Sequence, residues 1–267
     1  MIAMVLGLLV LGAAIAIFQS NQRSFQSSEG VNRIQENARV AFELMARDIR
    51  AAGGSACSSG SVVETSSATS NLFKDTPVAG SASEITVTSG DDTAYRVTGS
   101  TASTVTVELP AGMTSIGDAF KANDWVLLCN ARKTFVVQVA SANASTVTFS
   151  GNLPGDYVPT GDEYAPPSAV VLAHLRSTRW YLDGTTLRVS RLGAPGEAVA
   201  EGVRNMTLNY LDRGAASYVN APGADVVAVR VNMTLRGQKN TGGDLSVDGN
   251  NITRNVANVV NLRGRTL

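Results

Sequence analysis

The first 54 residues divide into three parts by the spacing of their apolar positions. Residues 1–18 contain no charged side chain, residues 19–30 are mostly polar, and from Val31 onward apolar side chains recur every three or four positions. Such a spacing is typical of an amphipathic α-helix. The adjacent glycines Gly53 and Gly54 are a typical helix stop. The pattern predicts one continuous helix that ends at this glycine pair.

The apolar run predicts a transmembrane segment over residues 1–18. Eighteen residues at about 1.5 Å each span roughly 27 Å, slightly less than a hydrocarbon core of about 30 Å. Met1 also lacks a preceding basic stretch, so we expect the natural start to lie upstream. A cleaved signal peptide and a plain single-pass anchor are the alternatives. Neither accounts for the helical pattern that continues beyond residue 18.

The predicted helix beyond the apolar run, residues 19–54, has one apolar face and one charged face. Glu29 and Arg33 are four residues apart, as are Arg39 and Glu43, and such pairs stabilise a helix by a few tenths of a kcal/mol. Gly30 is the weak interior position. We expect the apolar stripe to pack on a globular domain, through Val31, Ile34, Ala38, Ala41, Met45 and Ile49.

Strand patterns dominate from residue 84 onward. Alternating or β-branched runs occupy residues 84–88, 95–98, 103–109, 125–128, 134–139, 146–149, 170–175, 178–182, 186–190, 203–211 and 226–235. Turn residues separate them, notably at residues 89–92, at residues 154–155 and at Asp183-Gly184, which predicts a tight hairpin. The Ser-rich residues 55–70 predict a surface loop. The fold class is therefore α+β: a long N-terminal transmembrane and amphipathic helix (residues 1–54) packed on a mainly antiparallel β-sheet domain (residues 55–267).

Charge and cysteine content narrow the function classes. The 22 basic and 22 acidic residues cancel, so no overall field attracts nucleic acid or an anionic membrane. The chain has two cysteines, Cys57 and Cys129, which can form one disulfide in an oxidising compartment. Two buried free thiols are the alternative. Two cysteines and the single His174 do not supply four zinc ligands, so no metal site is expected.

No catalytic motif is present, and we expect neither an enzyme nor a cofactor. His174 lies in an apolar strand pattern and is interpreted as a structural side chain. Asp244, Asp248 and Asn250 loosely suggest a calcium loop, but the EF-hand order is missing and a polar loop is favoured. A local basic patch could form on neighbouring strands, from Arg176, Arg179, Arg188 and Arg191. We favour the alternative, in which these arginines lie on solvated strand faces, and DNA is not an expected partner.

The N-terminal 54 residues resemble the helix of type IV prepilin-like proteins, and within them the PilW family of minor pilins. The stretch RIQENARVAFELMARDIRAAG, residues 33–53, carries the resemblance most specifically, and looser matches continue to residues 261–265. The same stretch also resembles the J-type minor pseudopilins of type II secretion systems. The family's basic leader, its Gly-Phe cleavage site and the Glu that follows are absent here, which is a departure from the family pattern.

The resemblance implies a minor pilin of a Gram-negative bacterium that takes part in type IV pilus initiation or tip assembly and supports twitching motility and adhesion. It implies a body in the periplasm, partners among other minor pilins, the major pilin and a tip adhesin, and inner-membrane lipid before assembly. The side chains that would exchange lipid for neighbouring helices are Val5, Leu6, Leu8, Leu9, Val10, Leu11, Ile15, Ile17 and Phe18. The alternatives are the J-type pseudopilin and a membrane-anchored periplasmic binding or adhesin domain.

Overall fold

The structure is a computed structural model that describes residues 2–58, 61–64, 68–153, 169–237, 244–247 and 250–263. It confirms the fold class, a long N-terminal helix with a mainly antiparallel β-sheet body. The helices are α1 (Ile2–Ala51) and α2 (Ala68–Lys74), and a 3₁₀ turn covers Ile116–Asp118. The described strands are β1 (Val62–Glu64), β2 (Val78–Gly80), β3 (Glu84–Ser100), β4 (Thr104–Val107), β5 (Trp125–Cys129), β6 (Lys133–Asn143), β7 (Thr146–Phe149), β8 (Val171–Asp183), β9 (Thr186–Arg191), β10 (Glu197–Glu201), β11 (Val203–Asp212), β12 (Val226–Arg236), β13 (Ser246–Val247), β14 (Asn250–Asn251) and β15 (Thr253–Asn261).

Six strands pair into a closed antiparallel ring in the order β3, β8, β5, β6, β7, β4 and back to β3. Strand β3 can close the ring because its first part pairs with β8 and its last part with β4. Alternate side chains of these strands point inward, as the two-residue period of a strand requires. They fill the ring with an apolar core that includes Val97, Val105, Val126, Leu128, Phe135, Val147 and Leu172.

A second core lies beside the ring, between two sheets and helix α1. Strands β2, β9 and β10 extend the ring sheet along β3 and β8, and β11, β12 and β15 form the facing three-stranded sheet. Trp180 of β8 and Tyr210 of β11 are fully buried between these layers. The second half of α1 packs into the same core, so the helix belongs to this part of the body rather than to the ring.

Both open sides of these packed layers are covered, which protects the strand edges there. On one side Leu208 N–H donates to the carbonyl of Ala82 at 2.8 Å, and Tyr210 Oη–H donates to the carbonyl of Ser81 at 2.8 Å. Burial raises the pKa of the Tyr210 hydroxyl, which keeps it a donor. On the other side α1 lies along β10 and β15. The helix therefore serves as an edge cover for both sheets.

A small third cluster covers the outside of the ring. Phe73 of α2 is fully buried against Leu127, Val136 and Leu175. Strand β1 adds to the same region by pairing in parallel with β6. The Ser-rich residues 55–70, predicted as a loop, therefore contain β1 and the start of α2.

Several local predictions hold and one is wrong. Asp183 pairs with Thr186 across a tight turn, and Gly184 has φ 60°, so the predicted hairpin is confirmed. The turn predicted at residues 89–92 is wrong, because β3 runs through this stretch and only bulges between Gly90 and Ala94. A bulge inserts extra residues and bends a strand without ending it. The turn predicted at residues 154–155 lies outside the described residues.

Helix α1 begins at Ile2 and continues without a break to Ala51. Gly53 adopts φ 68°, and Gly54 N–H donates to the carbonyl of Ala51 at 2.9 Å, which ends the helix at the predicted glycine pair. Within the residues described, no helix combines the length and apolar character needed to cross a membrane.

Candidate functional site: helix α1 and its attachment to the body

The first part of α1 makes no buried contact with the body. From Ile2 to Gln26 every described side chain is exposed, and Gly30 is the first buried residue. Leu8 and Phe25 are 70% and 71% exposed. The side chains of Val5 and Leu6 lie outside the described residues. We call residues 2–29 the projecting half of α1; the other exposed apolar side chains predicted there are Leu9, Val10, Leu11, Ile15, Ile17 and Phe18.

Residues 30–51 form the seated half, which packs on the core at the open side of the two sheets. Val31 is half-buried, and Leu44, on the opposite face, is exposed. The buried members of the predicted stripe are Ile34, Ala38, Ala41, Met45 and Ile49. Full burial of a Met or Ile side chain stabilises by about 1.5–3 kcal/mol. The alanines bring the helix backbone close to β10, β12 and β15.

The boundary between the two halves is marked by Gly30 and a segment from near the C-terminus. A Cβ atom at Gly30 would lie 2.1 Å from Leu245 Cδ2, so the Leu245 side chain packs directly on Gly30 and would have to shift for any larger residue. Asp244, the residue before, accepts from Arg236 at 2.7 Å and also from Arg204. These two guanidinium groups hold the pKa of Asp244 below its usual value. The sequence shows Gly30 only as a weak helix position.

The other end of the seated half is held by a buried carboxylate. Asp48 Oδ1 accepts from Arg176 Nη2 at 2.8 Å, and Asp48 Oδ2 accepts from the Trp180 indole N–H at 2.9 Å. Asp48 is buried, and Arg176 also lies 3.8 Å from Asp91 in the β3 bulge. This network joins α1, β3 and β8. The sequence carries a signal for it, because Asp48 falls within the apolar stripe between Met45 and Ala52.

The chain leaves α1 by crossing β3 at its bulge. Gly53 N–H donates to the carbonyl of Thr88 at 2.9 Å, and Gly90 N–H donates to the carbonyl of Gly54 at 2.8 Å. A Cβ atom at Gly90 would lie 3.0 Å from the backbone nitrogen of Ala56, so the crossing needs glycine in the bulge. The motif that predicted a turn is therefore the crossing point of two chain segments.

The disulfide predicted from the two cysteines is present. Cys57 and Cys129 are bonded with a Cα–Cα distance of 6.0 Å. Cys57 follows the helix exit, and Cys129 ends strand β5 of the ring. The bond therefore fixes the segment that follows α1 to the ring. Helix α1 itself packs on the second core, beside the ring.

The four arginines considered as a basic patch are each paired with an acid. Arg176 forms an ion pair with Asp48, and Arg179 forms one with Glu84 at 2.5 Å. The two remaining ion pairs are Arg188–Asp183 and Arg191–Glu197. The carboxylate of Glu84 raises the pKa of Arg179. The charged face of α1 is likewise paired, with Arg39 bonded to Glu36 and near Glu43. Paired charges of this kind leave little field for a polyanion.

Other sites considered from the sequence do not assemble in the described residues. His174 Nε2 lies 3.1 Å from the carbonyl of Ala119, and its ring stacks on Phe120. No cluster of three metal-ligating His, Cys, Asp or Glu side chains occurs in the part of the chain that the structure describes. Asp244 pairs with arginines, Asn250 lies in a short strand, and Asp248 is outside the described residues.

No family model, no curated protein and no solved structure matches the chain.

Proposed function

We propose that the chain is a minor pilin: a non-enzymatic subunit whose projecting helix packs among the helices of partner subunits in a type IV pilus. The observation that carries this proposal is the contrast within α1. One uninterrupted helix of 50 residues buries an apolar stripe in its own body over one half and exposes large apolar side chains over the other.

The exposed side chains give the physical reason for a partner. Leu8, Leu9, Val10, Leu11, Ile15, Ile17 and Phe18 are each at least half exposed. A contiguous apolar surface of this kind marks an interaction site, because water contact costs about 25 cal/mol for each Å² of apolar area. Gly7 and Gly12 have open space where a side chain would stand, so partner helices can approach the backbone closely there.

The direction of the helix is also fixed, as a filament subunit requires. The Gly30–Leu245 contact and the Asp48–Arg176 bond hold the seated half at both of its ends. A helix held in this way presents its projecting half at a constant angle to the body. In the proposal, that half rests in inner-membrane lipid with the body in the periplasm, and it exchanges lipid for partner helices during assembly.

The test uses the bacterium that carries this gene. Deletion should abolish surface pili and twitching while the major pilin is still made, and normal piliation would contradict the proposal. Loss of exoprotein secretion with normal pili would assign the chain instead to the J-type pseudopilins.

Complementation with point variants connects that result to the helix. Leu11→Asp should fail to restore pili, because it places a charge in the packed bundle. Val62→Asp is the matched control: Val62 is 57% exposed on the body and Leu11 is 59% exposed on the helix. Equal restoration by the two variants would show that the projecting half is not the assembly surface.

A further inference from the structure

A groove on the body combines apolar walls with polar groups that have no partner within the described part of the chain. It lies between α2, β3, the start of β5, the middle of β8 and the turn after β9, and has a volume of about 380 Å³. Leu72 and Leu192 form exposed rims, and Trp125 and Leu175 form the apolar floor. Neither the filament proposal nor the packing of the ring requires these rims to be exposed.

Backbone strain is concentrated at this groove. Of the three described non-glycine residues with positive φ, two line it: Asn123 at 73° and Leu192 at 51°. Asparagine adopts this region readily, whereas a leucine there is uncommon and strained. Leu192 is held in place by its N–H, which donates to the carbonyl of Ser177 at 2.8 Å. The strained turn places the Leu192 side chain at the rim of the groove, where it is 65% exposed.

The polar lining defines the chemistry of an occupant. Asp124 Oδ2 accepts from Lys121 N–H at 2.7 Å, which leaves its Oδ1 as an acceptor. The side chains of Asn123, Thr88 and Ser177 have no hydrogen-bond partner among the described residues. Hydroxyl and amide groups both donate and accept hydrogen bonds. Neither Lys nor Arg lines the groove. His174 also lines the groove, with its Nε2 3.1 Å from the carbonyl of Ala119. An anionic ligand would therefore meet a carboxylate with no lysine or arginine to balance it.

A neutral sugar has the matching features. Its hydroxyls donate to a carboxylate and exchange hydrogen bonds with amides and hydroxyls, while its C–H face packs on an indole or a leucine. We propose that this groove binds one neutral sugar residue of a glycan, with Asp124 as the main hydrogen-bond acceptor and Trp125 as the apolar platform. This binding does not depend on the filament role, because the groove belongs to the body alone.

Tryptophan fluorescence gives a direct test on the full chain in a zwitterionic detergent that carries no sugar. The chain has two tryptophans, and Trp180 is fully buried, so a surface ligand at the groove acts on Trp125. Methyl glycosides of neutral hexoses and N-acetylhexosamines are titrated one at a time. At least one should change the emission saturably, with Kd near the millimolar range expected for a single sugar.

Variants identify the site. Asp124→Asn and Ser177→Ala should each raise that Kd, the first about tenfold or more, since a hydrogen bond to a charged group is stronger than one to a neutral group. Asp225→Asn is the matched control, because Asp225 pairs with Arg213 on the three-stranded sheet, away from the groove. The Ser177→Ala result stands by itself if Asp124→Asn does not fold.

Three outcomes would overturn the proposal. The first is no saturable change with any glycoside up to about 50 mM, well above a millimolar Kd. The second is an unchanged Kd in the folded groove variants. The third is binding of N-acetylarginine amide without binding of any sugar, which would assign the groove to a basic side chain of a protein partner.

Discussion

The two halves of helix α1 share one backbone and differ in what surrounds them. The seated half places small and medium side chains, such as Ala41 and Met45, against two sheets, and a buried carboxylate fixes its end. The projecting half carries larger and more continuous apolar side chains, yet all that are described there lie exposed. A helix of this length is stabilised by tertiary packing over only part of its course. The comparison teaches that apolar content alone does not decide burial; complementary partners do.

Removing the Asp48 carboxylate, at the end of the seated half, should have the largest effect on how firmly that half is held in the body. Asp48→Ala should lower the free energy of unfolding by about 3–5 kcal/mol, because Arg176 and the Trp180 indole lose their buried partner. Denaturant unfolding followed by circular dichroism measures the change. Asp92→Ala is the control, since Asp92 is exposed and pairs with Arg47; it should cost less than about 1 kcal/mol. Equal losses in the two variants would show that the buried network does not hold the helix.

Removing the disulfide tests whether the segment that follows α1 also stabilises the packing of the seated half. The double variant Cys57→Ser/Cys129→Ser should lose about 2–4 kcal/mol, since the bond closes a segment with a sequence separation of 72 residues. The unfolding midpoint with and without a reductant measures this loss, and reductant should have no effect on the variant. An equally stable reduced protein would mean that the packing around the bond does not depend on it.

One substitution made at equivalent glycines should act differently in the two halves. Gly30→Val should cost about 1–3 kcal/mol, because the new side chain collides with Leu245. A Cβ atom at Gly12 meets nothing within 4 Å, so Gly12→Val should leave the stability of the body unchanged. Thermal unfolding of both variants measures the contrast. If Gly30→Val proves neutral, Leu245 does not pack against α1 in solution.

The smallest expected effect concerns pH at the boundary of the two halves. The pKa of Asp244 is lowered by Arg236 and Arg204, so this carboxylate stabilises the fold above its unfolded pKa of about 3.9. That contribution is lost as the pH falls through the lower pKa of the folded state. Asp244→Asn should therefore be less stable than the parent chain at neutral pH, and the difference should shrink below about pH 4. Urea unfolding from pH 3 to pH 7 measures it, and a difference independent of pH would exclude the ion pairs as its cause.

Several elements of the structure could be predicted from short windows of sequence. The three-to-four spacing after residue 30 predicts α1, the glycine pair predicts its end, and Asp183-Gly184 predicts the hairpin. The disulfide was open to two interpretations, because cysteine pairing depends on which segments meet. These features depend on residues close in the chain or on a single possible pair.

Other features could not be predicted, because no local signal specifies them. Residues 89–92 have turn chemistry in isolation, but the flanking strands continue their pairing and convert the turn into a bulge. Strands β10 and β15 have weak alternation and exist because the neighbouring strands and α1 complete their surroundings. The groove at Trp125 combines residues from five separate segments, so its composition cannot be read from any one of them.

The sequence by itself determined the long helix, its end, the α+β class and the apolar character of both helical halves, since these follow from periodicity and backbone preference within a few residues. Only the tertiary structure decided how β3 closes the ring, and that Asp48 and Gly30 lie at the two ends of the seated half. The physical reason is that burial and pairing energies arise between residues distant in the chain. Asp48 and Arg176 are 128 positions apart in the chain, so they can pair with each other only once the sheets have packed against the helix.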